Sequence, residues 1–123
     1  MTDAPEMPSS VRVGAVEYRV TADREEWVAQ AYDSGFHGYG KTVHGKATIF
    51  LSPECTPAVN RLTLWHEVLH CVDEVLMGDP DWRNLGGAPE SKFDAEEIVV
   101  RMWEHPTLDV LRDNPDLVAY LTA

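Results

Sequence analysis

Alternating apolar and polar positions near the start of the chain predict a β-hairpin. A two-residue loop at 14–15 pairs Val13 with Val16. The next pair on the same face then joins Val11 and Tyr18. Glycine at the first loop position suits a type II′ turn, in which that residue has a positive φ. The hairpin thus supplies the first two strands of a predicted sheet.

A second β-rich segment, residues 47–51, lies between Gly45 and Pro53 and predicts another strand. The stretch before it, residues 33–45, carries four glycines among aromatic and histidine residues. This composition is typical of a loop, here one able to border a cleft. The sheet is therefore expected to gain its third strand only after that loop.

Apolar residues at helical spacing predict a short helix near Asp23, then a long central helix and a second long helix. Asp23 precedes Glu26 by three residues, as in a capping pair. The central helix is expected to begin at Thr56-Pro57, with threonine as N-cap, and to end near Met77. Its predicted buried stripe, which packs on the sheet, comprises Leu62, Trp65, Leu69, Val72 and Leu76.

The second long helix is expected to begin after Ser91, which is able to cap it, with Asp94 at the third helical position. Pro106 disfavours helical geometry at His105, which predicts a break or kink there and a separate short helix over 107–112. A last short helix is expected to begin at Pro115. The predicted buried residues of the second long helix are Phe93, Val99, Val100, Met102 and Trp103.

These elements predict an α+β fold, in which a small antiparallel sheet packs on the central helix and the second long helix closes the site. With 123 residues the chain has the length of one domain. We expect residues 1–10 to form a disordered leader and residues 11–123 to form that domain. The leader lacks the basic and apolar runs of a signal peptide.

The central helix carries the letters HEVLH at 66–70, which match the H-E-x-x-H pattern of zinc peptidases. Residues four apart lie on one helical face, so His66 and His70 are able to bind one zinc ion. Glu67 projects about 100° away from His66 around the helix, where it misses the ion and reaches a water bound to it. We therefore predict that Glu67 is the catalytic base that activates this zinc-bound water.

A catalytic zinc ion needs a third protein ligand. Helical geometry places Glu96 on the predicted inward face of the second long helix, and we expect it to be that ligand. Glu97 points more towards Arg101 and solvent, and it is the alternative. Asp73 lies seven residues beyond His66, too far along the helix for the same ion, so a hydrogen bond to His70 is its candidate role.

Charge and cysteine content exclude several classes of partner. Ten basic and twenty-one acidic side chains give a net charge of −11, which repels nucleic acid. No segment is apolar for long enough to span a membrane. Two cysteines, Cys55 and Cys71, are too few for a disulfide framework, which predicts a reducing cytoplasm. Cys71 is expected to be a small buried hydrophobe, with a metal or redox role as the alternative.

A helical H-E-x-x-H, a polar connection and an inward glutamate on the next helix resemble the gluzincin arrangement. Small size and an N-terminal sheet make the chain similar to ImmA/IrrE-type metallopeptidases and to small metallopeptidase-like proteins of bacteriophages. The similar segments are the hairpin, Tyr39-Gly40, the strand 48–51, TLWHE at 63–67 and LRDNP at 111–115.

The resemblance implies a minimal zincin-like fold and a zinc-dependent hydrolase of peptide bonds in a protein or peptide substrate. It also implies that the strand 47–51 offers its edge to an extended substrate, an interior strand being the alternative. His37, Tyr39 and His44 are candidate donors to the reaction's oxyanion, or else plain loop residues, and His105 is expected to end a helix. Two rival functions stay open: a zinc-stabilised phage protein that binds a host protein without cutting it, and a metal-free structural domain.

Overall fold

The computed structural model describes residues 5–34, 38–85 and 91–123, which belong to two compact units, Met1–Asp79 and Pro80–Ala123. The first unit contains β1 (Ser10–Val13), β2 (Val16–Thr21), α1 (Arg24–Ser34), β3 (Gly40–Val43), β4 (Thr48–Leu51) and α2 (Pro57–Val75). The second contains α3 (Lys92–Asp113) and α4 (Pro115–Leu121). Short 3₁₀ turns lie at His44–Lys46 and Trp82–Leu85.

The predicted hairpin is confirmed in its register and its turn. Val13 pairs with Val16, and Val11 pairs with Tyr18. Gly14 has a φ of +59°, which a glycine adopts without steric cost. β1 begins at Ser10, so the predicted leader overlaps the first strand by one residue.

The α+β class is confirmed, but the sheet is mixed where the sequence predicts an antiparallel one. Its strand order is β1-β2-β4-β3, and β2 pairs with β4 in parallel. The chain reaches β4 only after α1 and β3, and such a long connection brings it back in the direction of β2. β3 lies in the stretch predicted as a loop. It takes the outer position beside β4, so the predicted edge strand 47–51 is an interior one.

One face of the sheet and α2 enclose the core of the first unit. The fully buried core residues are Tyr18, Ile49, Leu51 and Cys71. α2 contributes Leu64, Val68, Val72 and Val75 to this core. The predicted stripe is confirmed at Val72 and wrong at Leu76, which is 60% exposed, while Leu62, Trp65 and Leu69 are half-buried. Apolar residues lie on more than one side of α2, so two overlapping stripes fit the helical period. Only contact with the sheet decides which stripe is buried.

The predicted helix N-termini are confirmed by their capping bonds. The N–H of Glu26 donates to Asp23 Oδ2 at 3.0 Å, and the N–H of Val59 donates to Thr56 Oγ1 at 3.3 Å. In the second unit the N–H of Asp94 donates to the hydroxyl of Ser91 at 3.0 Å. Each cap satisfies one of the donors that the first helical turn leaves without an intrahelical partner.

Helix α3 differs from its prediction in two respects. It continues through Pro106 to Asp113, so the expected break and the separate helix 107–112 are wrong. Proline removes only one intrahelical N–H donor, and the Thr107 hydroxyl adds a bond to the Trp103 carbonyl at 2.6 Å. The predicted buried side is also wrong for the exposed residues Phe93, Met102 and Trp103, whereas Val100 is buried as expected. α4 begins at Pro115, as predicted.

The part of the chain that the structure describes contains no helix with the length and apolar character needed to cross a membrane.

Candidate metal centre on helix α2

The two histidines of the H-E-x-x-H pattern point their ring nitrogens at each other. His66 Nε2 and His70 Nε2 are 3.2 Å apart, and the ring centroids are 4.9 Å apart at an interplanar angle of 68°. His70 is buried and His66 is partly buried. The sequence prediction that one helical turn brings these two side chains together is confirmed.

This separation fits two ligands of one tetrahedral zinc ion. Nitrogens that each bind zinc at about 2.0–2.1 Å lie about 3.3 Å apart at the tetrahedral angle. The same distance suits an N–H···N hydrogen bond between neutral rings. Both arrangements bring the two Nε2 atoms together, but only zinc binding uses the lone pairs of both rings.

Glu67 lies between the histidine pair and the sheet, and its two oxygens have different surroundings. Oε2 lies 3.7 Å from His66 Nε2. Oε1 accepts a hydrogen bond of 2.9 Å from the hydroxyl of Thr42 on β3. The side chain is only 7% exposed. One carboxylate oxygen is thus held by the edge strand while the other faces the histidines.

The sequence missed Thr42 because β3 lies in a stretch with the composition of a loop. No motif marks this threonine. Its contact with Glu67 exists because the antiparallel pairing of β3 with β4 places position 42 beside Ile49, next to α2. A periodic reading of residues 40–43 as an edge strand was the only available signal.

Two more polar side chains, Tyr18 and Cys71, are fully buried in the core of the first unit. The burial of Cys71 is as predicted. The Tyr18 hydroxyl lies 2.9 Å from His44 Nδ1. Burial raises the pKa of the Cys71 thiol to about 12 and the pKa of the Tyr18 hydroxyl to about 12. Both groups therefore carry their protons at neutral pH.

The remaining predicted residues of the first unit have varied surroundings. Asp73 is buried. In the described part of the chain, no cluster whose ligand atoms all lie within 4.8 Å of one another combines Asp73 with His66 and His70. Tyr39 is 64% exposed. His37 lies outside the described residues.

The predicted third ligand belongs to the second unit. Glu96 and Glu97 are both half-buried residues of α3, so burial does not distinguish them. Glu97 Oε1 accepts from Arg101 Nε at 3.3 Å, which confirms the predicted contact with Arg101. His105, expected to end a helix, lies within α3. The choice of Glu96 as ligand stays a prediction.

Comparison of the chain with protein-family models, curated proteins and solved structures finds no match. The resemblance to gluzincins therefore stays a prediction that rests on the motif and its spacing.

Proposed function

We propose that this protein is a zinc-dependent hydrolase of peptide bonds, with His66 and His70 as two zinc ligands and Glu67 as the base. The observation that carries the proposal is the 3.2 Å approach of the two Nε2 atoms, with Glu67 Oε2 3.7 Å from one of them. A common ligand accounts for this convergence and also for the buried carboxylate beside it, which costs free energy to desolvate.

A zinc ion held at this site supplies an electrophile that polarises a carbonyl group and acidifies a water molecule. The protein's own part is proton transfer. Glu67 Oε2 faces the histidines and accepts a proton from the attacking water, while Oε1 stays bound to Thr42. The same carboxyl group then returns the proton to the leaving amine. One residue thereby serves both halves of amide hydrolysis.

The proposed third ligand is a carboxylate of α3, with Glu96 as the first choice and Glu97 as the alternative. Glu97 already accepts from Arg101, a contact that a metal ligand would have to share or give up. Zinc stoichiometry of Glu96→Gln and Glu97→Gln decides between them. Loss of zinc from His66→Ala with retention in both glutamine variants would contradict a ligand from either position.

The edge strand β3 is the proposed binding strand for an extended substrate, in place of residues 47–51. In the described part of the sheet β3 is the outermost strand, next to β4, and an outermost strand is where an extended peptide is able to pair. It also carries Thr42, which contacts Glu67. A peptide added along β3 would therefore run past the proposed base.

We place this activity in the cytoplasm of a bacterium or a phage-infected host, a proposal supported by two free thiols in the chain. The deciding experiment incubates zinc-loaded protein with a bacterial lysate and scores new protein N-termini. Glu67→Gln is the matched control, since it keeps the shape of the side chain and removes the base.

We expect Glu67→Gln to retain stoichiometric zinc and to produce no new termini. Equal cleavage by wild type and Glu67→Gln would defeat the role of Glu67. Zinc binding without cleavage by the wild type would favour the rival phage protein that binds a host protein, and absence of zinc would leave a structural domain.

A further inference from the structure

The second unit carries apolar side chains that the chain itself leaves exposed. Beyond Val100, the described residues up to Ala123 include none that is buried. Six large apolar side chains of this segment are between 42% and 80% exposed, namely Met102, Trp103 and Val110 on α3, and Leu117, Tyr120 and Leu121 on α4. We call the first three the α3 stripe and the last three the α4 face.

The spacing of these residues gathers them on one side of each helix. The α4 face follows the i, i+3, i+4 spacing of a single helical side. On α3, Trp103 and Val110 are seven residues apart, about two helical turns, and Met102 lies about 100° from Trp103 around the helix axis. Each helix therefore presents an apolar side instead of scattered apolar residues, which is typical of an interaction surface.

The link between the two helices is too short for one to cover the other within the same chain. α3 ends at Asp113 and α4 begins at Pro115, so Asn114 alone joins them. Two antiparallel helices need a connection of about two to five residues to pack side by side. Asn114 is also tied to both helices, since its side chain donates to the Val110 carbonyl at 2.9 Å and its carbonyl accepts from the Val118 N–H at 3.1 Å. The α4 face therefore does not reach the α3 stripe of its own chain.

The length of α4 is a second reason to expect a partner. The helix has seven residues, and an isolated helix shorter than about 12–15 residues is marginal in water. Helices of this kind owe their stability to the packing of an apolar side, yet Tyr120 on the α4 face is 80% exposed. We therefore expect α4 to be stabilised by a contact outside the chain.

We propose that this partner is a second copy of the chain, with the α4 face of each copy packed on the α3 stripe of the other. A twofold arrangement covers both surfaces in both copies with one kind of contact. The six side chains expose roughly 700 Å² per copy, close to the about 800 Å² that each partner buries in a stable interface of ordinary size. All six are uncharged, so the contact needs no ion pair between two chains that each carry a net charge of −11. The inference is independent of the proposed peptidase activity.

Sedimentation equilibrium of the full chain measures this association. We expect a monomer–dimer equilibrium for the wild type. Tyr120→Glu and Met102→Glu, one on each surface, should each raise the dissociation constant of the dimer by about 30-fold or more, because each places a charge in an apolar contact. Val28→Glu is the matched control and should leave the constant unchanged, since Val28 on α1 is 56% exposed and lies outside both surfaces.

Cross-linking tests which surfaces meet, and it needs no glutamate variant to fold. The background is Cys55→Ser, which leaves only the buried Cys71. One sample carries Met102→Cys, and a second sample, made heavier by a tag, carries Tyr120→Cys. A short bismaleimide reagent should join the two proteins in a mixture. Val28→Cys in place of Tyr120→Cys should give no such product.

The proposal is supported by a wild-type dimer that both glutamate variants weaken and that shows the selective cross-link. A wild type that stays monomeric at every concentration tested would overturn it. A dimer that either glutamate variant leaves unchanged, or cross-linking to Val28→Cys as readily as to Tyr120→Cys, would also overturn it. Association that continues beyond the dimer would contradict the twofold arrangement. None of these readouts depends on zinc or on cleavage.

Discussion

The close approach of β3 to α2 depends on Gly40, and Gly40→Ala should separate them. A Cβ atom at position 40 would lie 2.5 Å from Thr63 Cγ2, 3.2 Å from Leu51 Cδ2 and 3.3 Å from the Phe50 carbonyl oxygen. Non-bonded carbon atoms prefer about 3.5–4.0 Å, so the first contact is short by about 1 Å. Thr63 cannot rotate away without cost, because its hydroxyl donates to the Val59 carbonyl at 2.8 Å.

The expected loss of stability for Gly40→Ala is about 1–2 kcal/mol. Overpacking of this kind costs about 1–3 kcal/mol. Replacing glycine also lowers the entropy of the unfolded chain, which offsets about 0.4–1 kcal/mol where the native backbone suits alanine. Position 40 is not in the left-handed region, so that offset applies. Urea unfolding followed by circular dichroism measures the net difference.

Gly45→Ala is the matched control, because a Cβ atom there meets nothing within 4 Å. It should change the free energy of unfolding by no more than about 0.5 kcal/mol. The double variant Gly40→Ala with Thr63→Ser removes the clashing methyl group, and it should recover about 1 kcal/mol relative to the sum of the single changes. Equal stability of Gly40→Ala and Gly45→Ala would refute the close approach of β3 and α2.

Three further experiments test the fold. The Arg19 guanidinium holds the pKa of Glu26 at about 2, below its ordinary 4.5, so this pair stabilises the fold above about pH 4.5 and loses that effect as the pH falls through about 2. The stability gap between wild type and Glu26→Gln, from urea unfolding, should therefore shrink on acidification, and a constant gap would speak against the pair. A thiol reagent at mildly alkaline pH should label Cys55 in the native protein and Cys71 only after unfolding, since Cys71 is buried with a pKa raised to about 12; two rapidly labelled thiols would contradict this. Thr56→Ala should cost about 1 kcal/mol of unfolding free energy through loss of the α2 cap, and no measurable change would remove that role.

Local rules predicted those features that depend on neighbours in sequence. The hairpin register follows from the alternation around Gly14, whose positive φ suits the turn. The caps at Thr56 and Ser91 follow from the ability of a short hydroxyl side chain to accept from the first helical turn. The buried face of α3 was misjudged, since Trp103 is exposed and nothing local distinguishes one apolar side of a helix from another.

By itself, the sequence determined that His66 and His70 meet, because a spacing of four residues brings two side chains onto one helical face whatever surrounds the helix. Tertiary structure alone decided that β4 is interior and β3 is the edge, since strand order depends on how a long connection returns to the sheet. It also decided that Thr42 binds Glu67, 25 residues away along the chain. Contacts at that separation arise from packing between elements, which no local periodicity encodes.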